Sequence, residues 1–347
     1  MQSDNIQSFL YDWYMANARD LPWRKSKNPY NIWISEIMLQ QTRVETVIPY
    51  YNRFIKELPT ISDLANVDDE ELYKLWQGLG YYSRARNLKK AAKKVLEAYG
   101  GTIPNTIEEL VTLPGIGLYT AGAIASIAYD KPVPAVDGNV MRVMTRIYRK
   151  KLDITTQAAK KEISEIIKNL IPPTYPGTFN QALMELGATI CIPNGKPKCD
   201  GCPIHSFCLA FNHHEIEDIP VKKIKKSRLI QNMAVFLVKI EDGWLLRKQA
   251  KQGLLADLWE FPNLLGDSSD QEIKDYLLSH HIQVSQVKQV AKAKHIFTHL
   301  EWQMNIYLVE GKLLQKLENN VVIATKTQIK DQYSIPTAFS PCIKIIT

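Results

Sequence analysis

The 347-residue chain carries a formal net charge of +7, with 45% hydrophobic and 23% charged residues. That length exceeds one ordinary core, so two domains are expected, and the composition is that of a soluble globular protein rather than a disordered chain. The stretch Met1-Gln2-Ser3-Asp4-Asn5 lacks the basic and apolar regions of a secretory signal, and apolar runs such as Ala121 to Ala128 are too short to span a bilayer, so a cytoplasmic monomer away from membranes is expected.

In chain order, the first two-thirds predict helices. Ile6, Phe9, Leu10, Trp13 and Tyr14 form an amphipathic stripe. Helices are expected over 32–42, 44–54, 72–79 and 83–98. Thr106 and Glu109 have capping-box spacing before Leu110. Residues 162–170 and 180–188 complete an all-α region. Residues 215–230, with the basic run Lys222, Lys223, Lys225, Lys226 and Arg228, read as a linker. Beyond it, 233–240 and 244–248 around Asp242-Gly243 predict a hairpin, 271–281 a helix, and 304–309 with a Glu310-Gly311 turn another hairpin. The second domain is therefore expected to be α+β.

Three features carry chemistry. Leu113-Pro114-Gly115-Ile116-Gly117 lies between two helices. Its glycines Gly115 and Gly117 let the backbone turn tightly and offer N–H groups to a phosphate at a helix N-terminus. Four of the five cysteines, Cys191, Cys199, Cys202 and Cys208, fall in the spacing C-x7-C-x2-C-x5-C. Such a set suits a [4Fe–4S] cluster or a tetrahedral zinc, and His205 inside the segment adds a three-cysteine, one-histidine zinc alternative. Arg84, Arg86, Lys89, Lys90, Lys93 and Lys94 form a strip that either faces a polyanion or solvates the outside of its helix.

The Leu-Pro-Gly-x-Gly hairpin, followed by Val136-Asp137-Gly138-Asn139-Val140, resembles the helix–hairpin–helix glycosylases of DNA repair. The stretches Leu21-Pro22-Trp23-Arg24, Trp33-Ile34-Ser35-Glu36-Ile37-Met38-Leu39-Gln40-Gln41-Thr42 and Gly78-Leu79-Gly80-Tyr81-Tyr82-Ser83-Arg84 resemble the MutY-type adenine glycosylases. This resemblance implies an all-α helix–hairpin–helix domain over 1–214, a [4Fe–4S] loop over 191–208, a linker over 215–230 and a Nudix-like α+β domain over 231–347. The implied activity is removal of adenine mispaired with 8-oxoguanine or guanine in duplex DNA, with little strand cleavage.

The resemblance also implies roles. Glu36 protonates adenine N7 and Asp137 stabilises the oxocarbenium-like sugar. Glu36 lies among Trp33, Ile37 and Met38, where a desolvated carboxyl keeps its proton. Tyr119 stands where the related lyases have a lysine, and its hydroxyl assists near the sugar. Arg24 and Gln181 border the adenine pocket, Gln41 and Tyr81 wedge beside the orphaned base, and Asn139 joins the DNA-binding set. Gly253 to Pro262 carries the Nudix likeness, without the carboxylate pairs of a true Nudix box, so no Mg²⁺ site is expected. Phe297-Thr298-His299 resembles the lesion-reading loop, with threonine in place of serine. The first cysteine gap is one residue longer than the family's usual one, around Asn194-Gly195-Lys196, and Lys196 and Lys198 are expected to face DNA.

Overall fold

A computed structural model of the chain describes residues 2–221, 227–250, 253–318 and 320–347. They form two compact units: Met1–Asn66 with Arg86–Ile224, and Val67–Ala85 with Lys225–Thr347. The second unit thus includes a segment from the middle of the expected helical domain. Among the described residues no helix is long and apolar enough to cross a membrane.

The first unit is helical: α1 (Gln2–Asn17), α2 (Pro29–Leu39), α3 (Val44–Glu57), α4 (Ile61–Asn66), most of α6 (Ser83–Tyr99), α7 (Ile107–Leu110), α8 (Leu118–Tyr129), α9 (Gly138–Ile147), α10 (Gln157–Leu170), α11 (Pro176–Thr189) and α12 (Leu209–Asn212). Helix α5 (Asp69–Trp76) belongs to the second unit. The stripe expected on α1 is present in part, with Ile6, Leu10 and Tyr14 buried against α9, α10 and α11, while Phe9 is exposed. Helix α2 begins earlier than expected, because Asn28 caps it by accepting from Tyr30 and Asn31 N–H and Pro29 fills its first turn. It ends at Leu39, and Gln41 turns into the left-handed region (φ 57°) before α3 starts. At Thr106 the hydroxyl accepts from Glu109 N–H as expected, and the Glu109 carboxylate accepts from that hydroxyl.

Small residues let α8 sit close to its neighbours. A Cβ at Gly122 would meet Pro134 O at 2.1 Å, and one at Gly177 would meet Ser126 O at 2.6 Å. Buried Asn180 ties the same region together. Its amide donates to Ser126 Oγ (2.8 Å) and Val133 O (2.9 Å), and its carbonyl accepts from Ala135 N–H (3.2 Å).

The second unit holds β1 (Leu229–Ile240), β2 (Gly243–Lys248), β3 (Trp259–Glu260), β4 (Asn263–Leu265), α13 (Asp270–Ser279), β5 (Ile282–Ile296), β6 (Leu300–Leu313), β7 (Val321–Ala324), α14 (Lys326–Asp331) and α15 (Ser340–Ile346). Its mixed sheet runs β3-β2-β1-β6-β5, with β4 beside β1 and β7 beside β2; β1 and β6 are parallel and the other pairs antiparallel. One face packs Met233, Val235, Leu237, Trp302 and Ile306 around Phe339 and a fully buried Cys342; the other packs Phe236, Val238 and Tyr307 against Ile273 and Leu277 of α13.

Three expectations are corrected. Glu310-Gly311 is not a turn but lies inside β6, where Gly311 pairs with Val284 beside a register shift. Glycine suits that point because a Cβ would meet Ile282 Cγ2 at 2.9 Å. The turn between β1 and β2 is one residue early, with Glu241 at φ 52° and Gly243 already paired to Ile240. The linker is not free throughout. Ile219 is buried, its carbonyl accepts from Arg146 Nε (2.8 Å), Glu215 pairs with Arg149, and β1 begins at Leu229. Lys222, Lys223, Lys225 and Lys226 lie outside the described residues.

Gly122→Ala gains helix propensity of up to ~1 kcal/mol, but the backbone collision costs roughly 1–3 kcal/mol or more. Urea unfolding should therefore show a net loss of stability.

Candidate active site

Glu36, Tyr119 and Asp137 line one cavity of about 950 Å³ in the helical unit. Glu36 comes from the middle of α2, where seven other residues of the helix are buried with it. A carboxyl there loses its hydration, which disfavours the charged form. Burial is the main cause that pushes the Glu36 pKa up to about 7; the hydrogen bond from Tyr119 opposes it, and the charge of Asp137 adds to it. Tyr119, in the first turn of α8, donates its hydroxyl to Glu36 Oε2 at 2.5 Å. Burial first, then the charge of Glu36, holds that phenol protonated far beyond its ordinary range.

Asp137 is the N-cap of α9. One oxygen accepts from Val140 N–H (2.7 Å) and the other from Asn139 Nδ2 (2.9 Å). Burial raises its pKa, while those hydrogen bonds pull the other way. Asn139 is itself held: its carbonyl accepts from Arg142, whose guanidinium also donates to the Gly187 and Cys191 carbonyls. Gly187 must be small, since a Cβ would meet Asn139 Cβ at 2.6 Å.

Also lining the cavity, Glu185 of α11 accepts from Arg19 Nε (2.7 Å) and Arg24 (2.7 Å). Those two arginines outweigh its burial and hold its pKa near 2. Arg24 also lies 5.4 Å over the Tyr14 ring, and Tyr14 donates to Gln181. The sequence reading named Arg24 and Gln181 but missed Glu185, although it follows Gln181 by four residues on one helix and so shares its face. It also missed Lys160, an exposed residue of α10 that lines the cavity, and the positioning roles of Asn180 and Arg142.

Gln41 lies on the cavity rim. Gly115 (φ 83°) and Gly117 form the hairpin before α8, whose N-cap Gly117 supplies no side-chain hydrogen bond to the first turn. In the second unit, Tyr81 is 47% exposed at φ 49°. Its hydroxyl is hydrogen-bonded to that of Thr298. Thr298 and His299 are exposed at the tip between β5 and β6. The Phe297 ring is half-buried instead, edge-on to Trp302 at 4.8 Å. The basic strip also divides. Arg84 is buried with its guanidinium turned to backbone carbonyls, and Lys94 donates to Thr112 O.

Cys191, Cys199, Cys202 and Cys208 are free thiols facing one small apolar space walled by Val143, Ile147, Leu186 and Phe211. Arg146 donates to Cys191 Sγ (3.2 Å). Gly195 (φ 76°) turns the lengthened first gap, and Lys196 and Lys198 are exposed. His205 is exposed with Nδ1 near Cys202 O (2.9 Å). Among the described residues, no three His, Cys, Asp or Glu side chains are arranged around a single ion.

Residues 34–170 match the HhH-GPD superfamily of base excision DNA repair proteins, and residues 233–344 match the NUDIX domain. The adenine DNA glycosylase of Buchnera aphidicola subsp. Baizongia pistaciae is 35% identical over 341 residues, covering 97% of this chain and 95% of that protein. The chain belongs to the adenine DNA glycosylase family. Members from Arabidopsis thaliana and Rattus norvegicus are each 36% identical, and the chain spans 58% and 69% of their lengths. A thermostable thymine-DNA glycosylase of known structure shares the helical fold, with a TM-score of 0.56 and 30% identity over 61% of this chain and 97% of that one. Endonuclease III in a DNA complex shares the fold at 24% identity and a TM-score of 0.52, over 61% of this chain and 97% of that one. The family comprises base-excision repair enzymes that hydrolyse N-glycosyl bonds and act on DNA.

A proton donor at Glu36 would be competent below its pKa and lost as pH rises through about 7. Single-turnover excision should therefore fall about tenfold per pH unit on the alkaline side.

Proposed function

We propose that this chain hydrolyses the N-glycosidic bond of adenine opposite 8-oxoguanine in duplex DNA, without cleaving the strand. The observation that carries the reading is the pairing of a buried, proton-holding Glu36 with the capped Asp137 on one cavity. Adenine is a poor leaving group until N7 is protonated, and a partly desolvated carboxylic acid is suited to supply that proton. As the bond breaks, positive charge grows on the sugar, and the Asp137 carboxylate stabilises it electrostatically or through a covalent intermediate. Tyr119 supports Glu36 through its hydroxyl. The cavity lies within the roughly 300–1,000 Å³ of ligand sites, large enough for a base swung out of the stack.

The absence of strand cleavage follows from residue 119, where a tyrosine has no amine to form a Schiff base. Lys160 is the cavity's lysine among the described residues, and it is exposed on α10 rather than at position 119 of α8 against Glu36. Recognition of the opposite base is assigned to Tyr81, Thr298 and His299, with Phe297 packed beneath them, and Gln41 is assigned to the gap left in the stack. Gly115 and Gly117 take a phosphate at the α8 N-terminus.

The four cysteines are assigned to a [4Fe–4S] cluster. Their thiols share one apolar space without disulfides, a donor set that fits thiolate ligation. When bound, the cluster supplies a structural staple between α12 and the end of α11.

Duplexes carrying adenine opposite 8-oxoguanine should release adenine with no strand nick, and an adenine–thymine duplex should not. Glu36→Gln should bind DNA and lose at least a hundredfold in excision, about the contribution of a general acid. Substantial excision by that variant refutes the assignment. Purified protein should hold about four irons per chain, and Cys202→Ser should lose the iron and melt earlier. One zinc per chain is the contrary result.

A further inference from the structure

The turn that carries Tyr81 has an unusual support. Tyr81 sits at φ 49°, a region disfavoured for any residue with a Cβ, so its surroundings must hold it there. Gly78 and Gly80 on either side of Leu79 also have positive φ, at 109° and 71°. Such a run has little conformational preference of its own.

Arg84, in the first turn of α6, fills the inside of this turn and is only 8% exposed. Its guanidinium donates to Leu79 O and Gly80 O, each at 3.1 Å. The same plane lies 5.3 Å from the Trp76 ring centre and 5.6 Å from that of Tyr81. Trp76, fully buried, donates its indole N–H to Gly80 O at 3.0 Å. Burial draws the Arg84 pKa down to about 10, which leaves it charged at neutral pH.

We propose that Arg84 is a positioning residue that fixes the Gly80-Tyr81 turn and so sets the pose in which the Tyr81 ring meets the base opposite adenine. The proposal rests on the assignment of Tyr81 given above. A guanidinium suits the task because its planar fork serves two carbonyls while its face stacks on rings. A lysine keeps the charge but provides neither. With its guanidinium buried, Arg84 is not a phosphate ligand.

The test compares single-turnover excision of adenine opposite 8-oxoguanine and opposite guanine. Wild type, Tyr81→Ala, Arg84→Met, Arg84→Lys and the Tyr81→Ala/Arg84→Met double variant are each measured. Tyr81→Ala and Arg84→Met should each reduce the lesion preference by roughly tenfold, within the losses that small misplacements cause. The double variant should lose no more preference than Tyr81→Ala. Arg84→Lys, the gentler change, should move the preference in the same direction and serves as the readout if Arg84→Met does not fold. The salt dependence of DNA binding should stay as in wild type. An unchanged preference in a folded Arg84 variant, additive loss in the double variant, or a salt slope reduced by about one each overturns the proposal. An unchanged preference in Tyr81→Ala instead removes the assignment of Tyr81, and the role of Arg84 with it.

Discussion

Removing the Glu36 carboxyl from water is the constraint on which the rest of the helical unit depends. Holding a proton to about pH 7 corresponds to a penalty of ~3 kcal/mol on the ionised form. Such a group persists only where packing imposes it. Here α2 is almost wholly buried around Glu36, and α8 packs on α2 and places Tyr119 against it, while Gly122 and Gly177 let α8 lie close to the Pro134 backbone and to α11. The Tyr119 hydrogen bond satisfies one oxygen without restoring the charge, since burial outweighs it.

The second carboxylate is treated differently. Asp137 caps a helix and accepts two hydrogen bonds, contacts that favour the ionised form even under burial. Burial raises both carboxyls on the cavity, but at Asp137 hydrogen bonds from the start of α9 oppose that rise, so the two acids are balanced differently. Around them, Arg142 links Asn139 to the Cys191 carbonyl, and Glu185 spans Arg19 and Arg24. The polar wall is thus fixed by buried, mutually satisfied groups rather than by flexible surface charges.

Much of this was legible in the sequence because it rests on local rules. The α1 stripe, the Leu113-to-Gly117 hairpin and the apolar neighbours of Glu36 follow from periodicity, glycine chemistry and residue type. The cysteine set is close in sequence, so its convergence follows from short loops. What escaped was long-range. Glu185 meets Arg19 across 166 positions, and its one local hint is the four-residue spacing from Gln181 on the same helix. Arg84 sits in a basic run that reads as surface, and only the fold shows its guanidinium turned inward on Trp76. Gly311 resembles a turn residue but serves a close approach inside a sheet, a distinction that depends on the neighbouring strand. Membership of Val67–Ala85 in the second unit likewise has no local signature.

The most direct measurement is the titration of Glu36 itself, followed by carboxyl ¹³C NMR in folded, DNA-free protein with Glu36→Gln used to assign the signal. A midpoint near 7, as burial dictates, means that the acid is loaded before DNA arrives. A midpoint near the ordinary glutamate value of about 4.3 would contradict the claim that the cavity walls hold the proton in place.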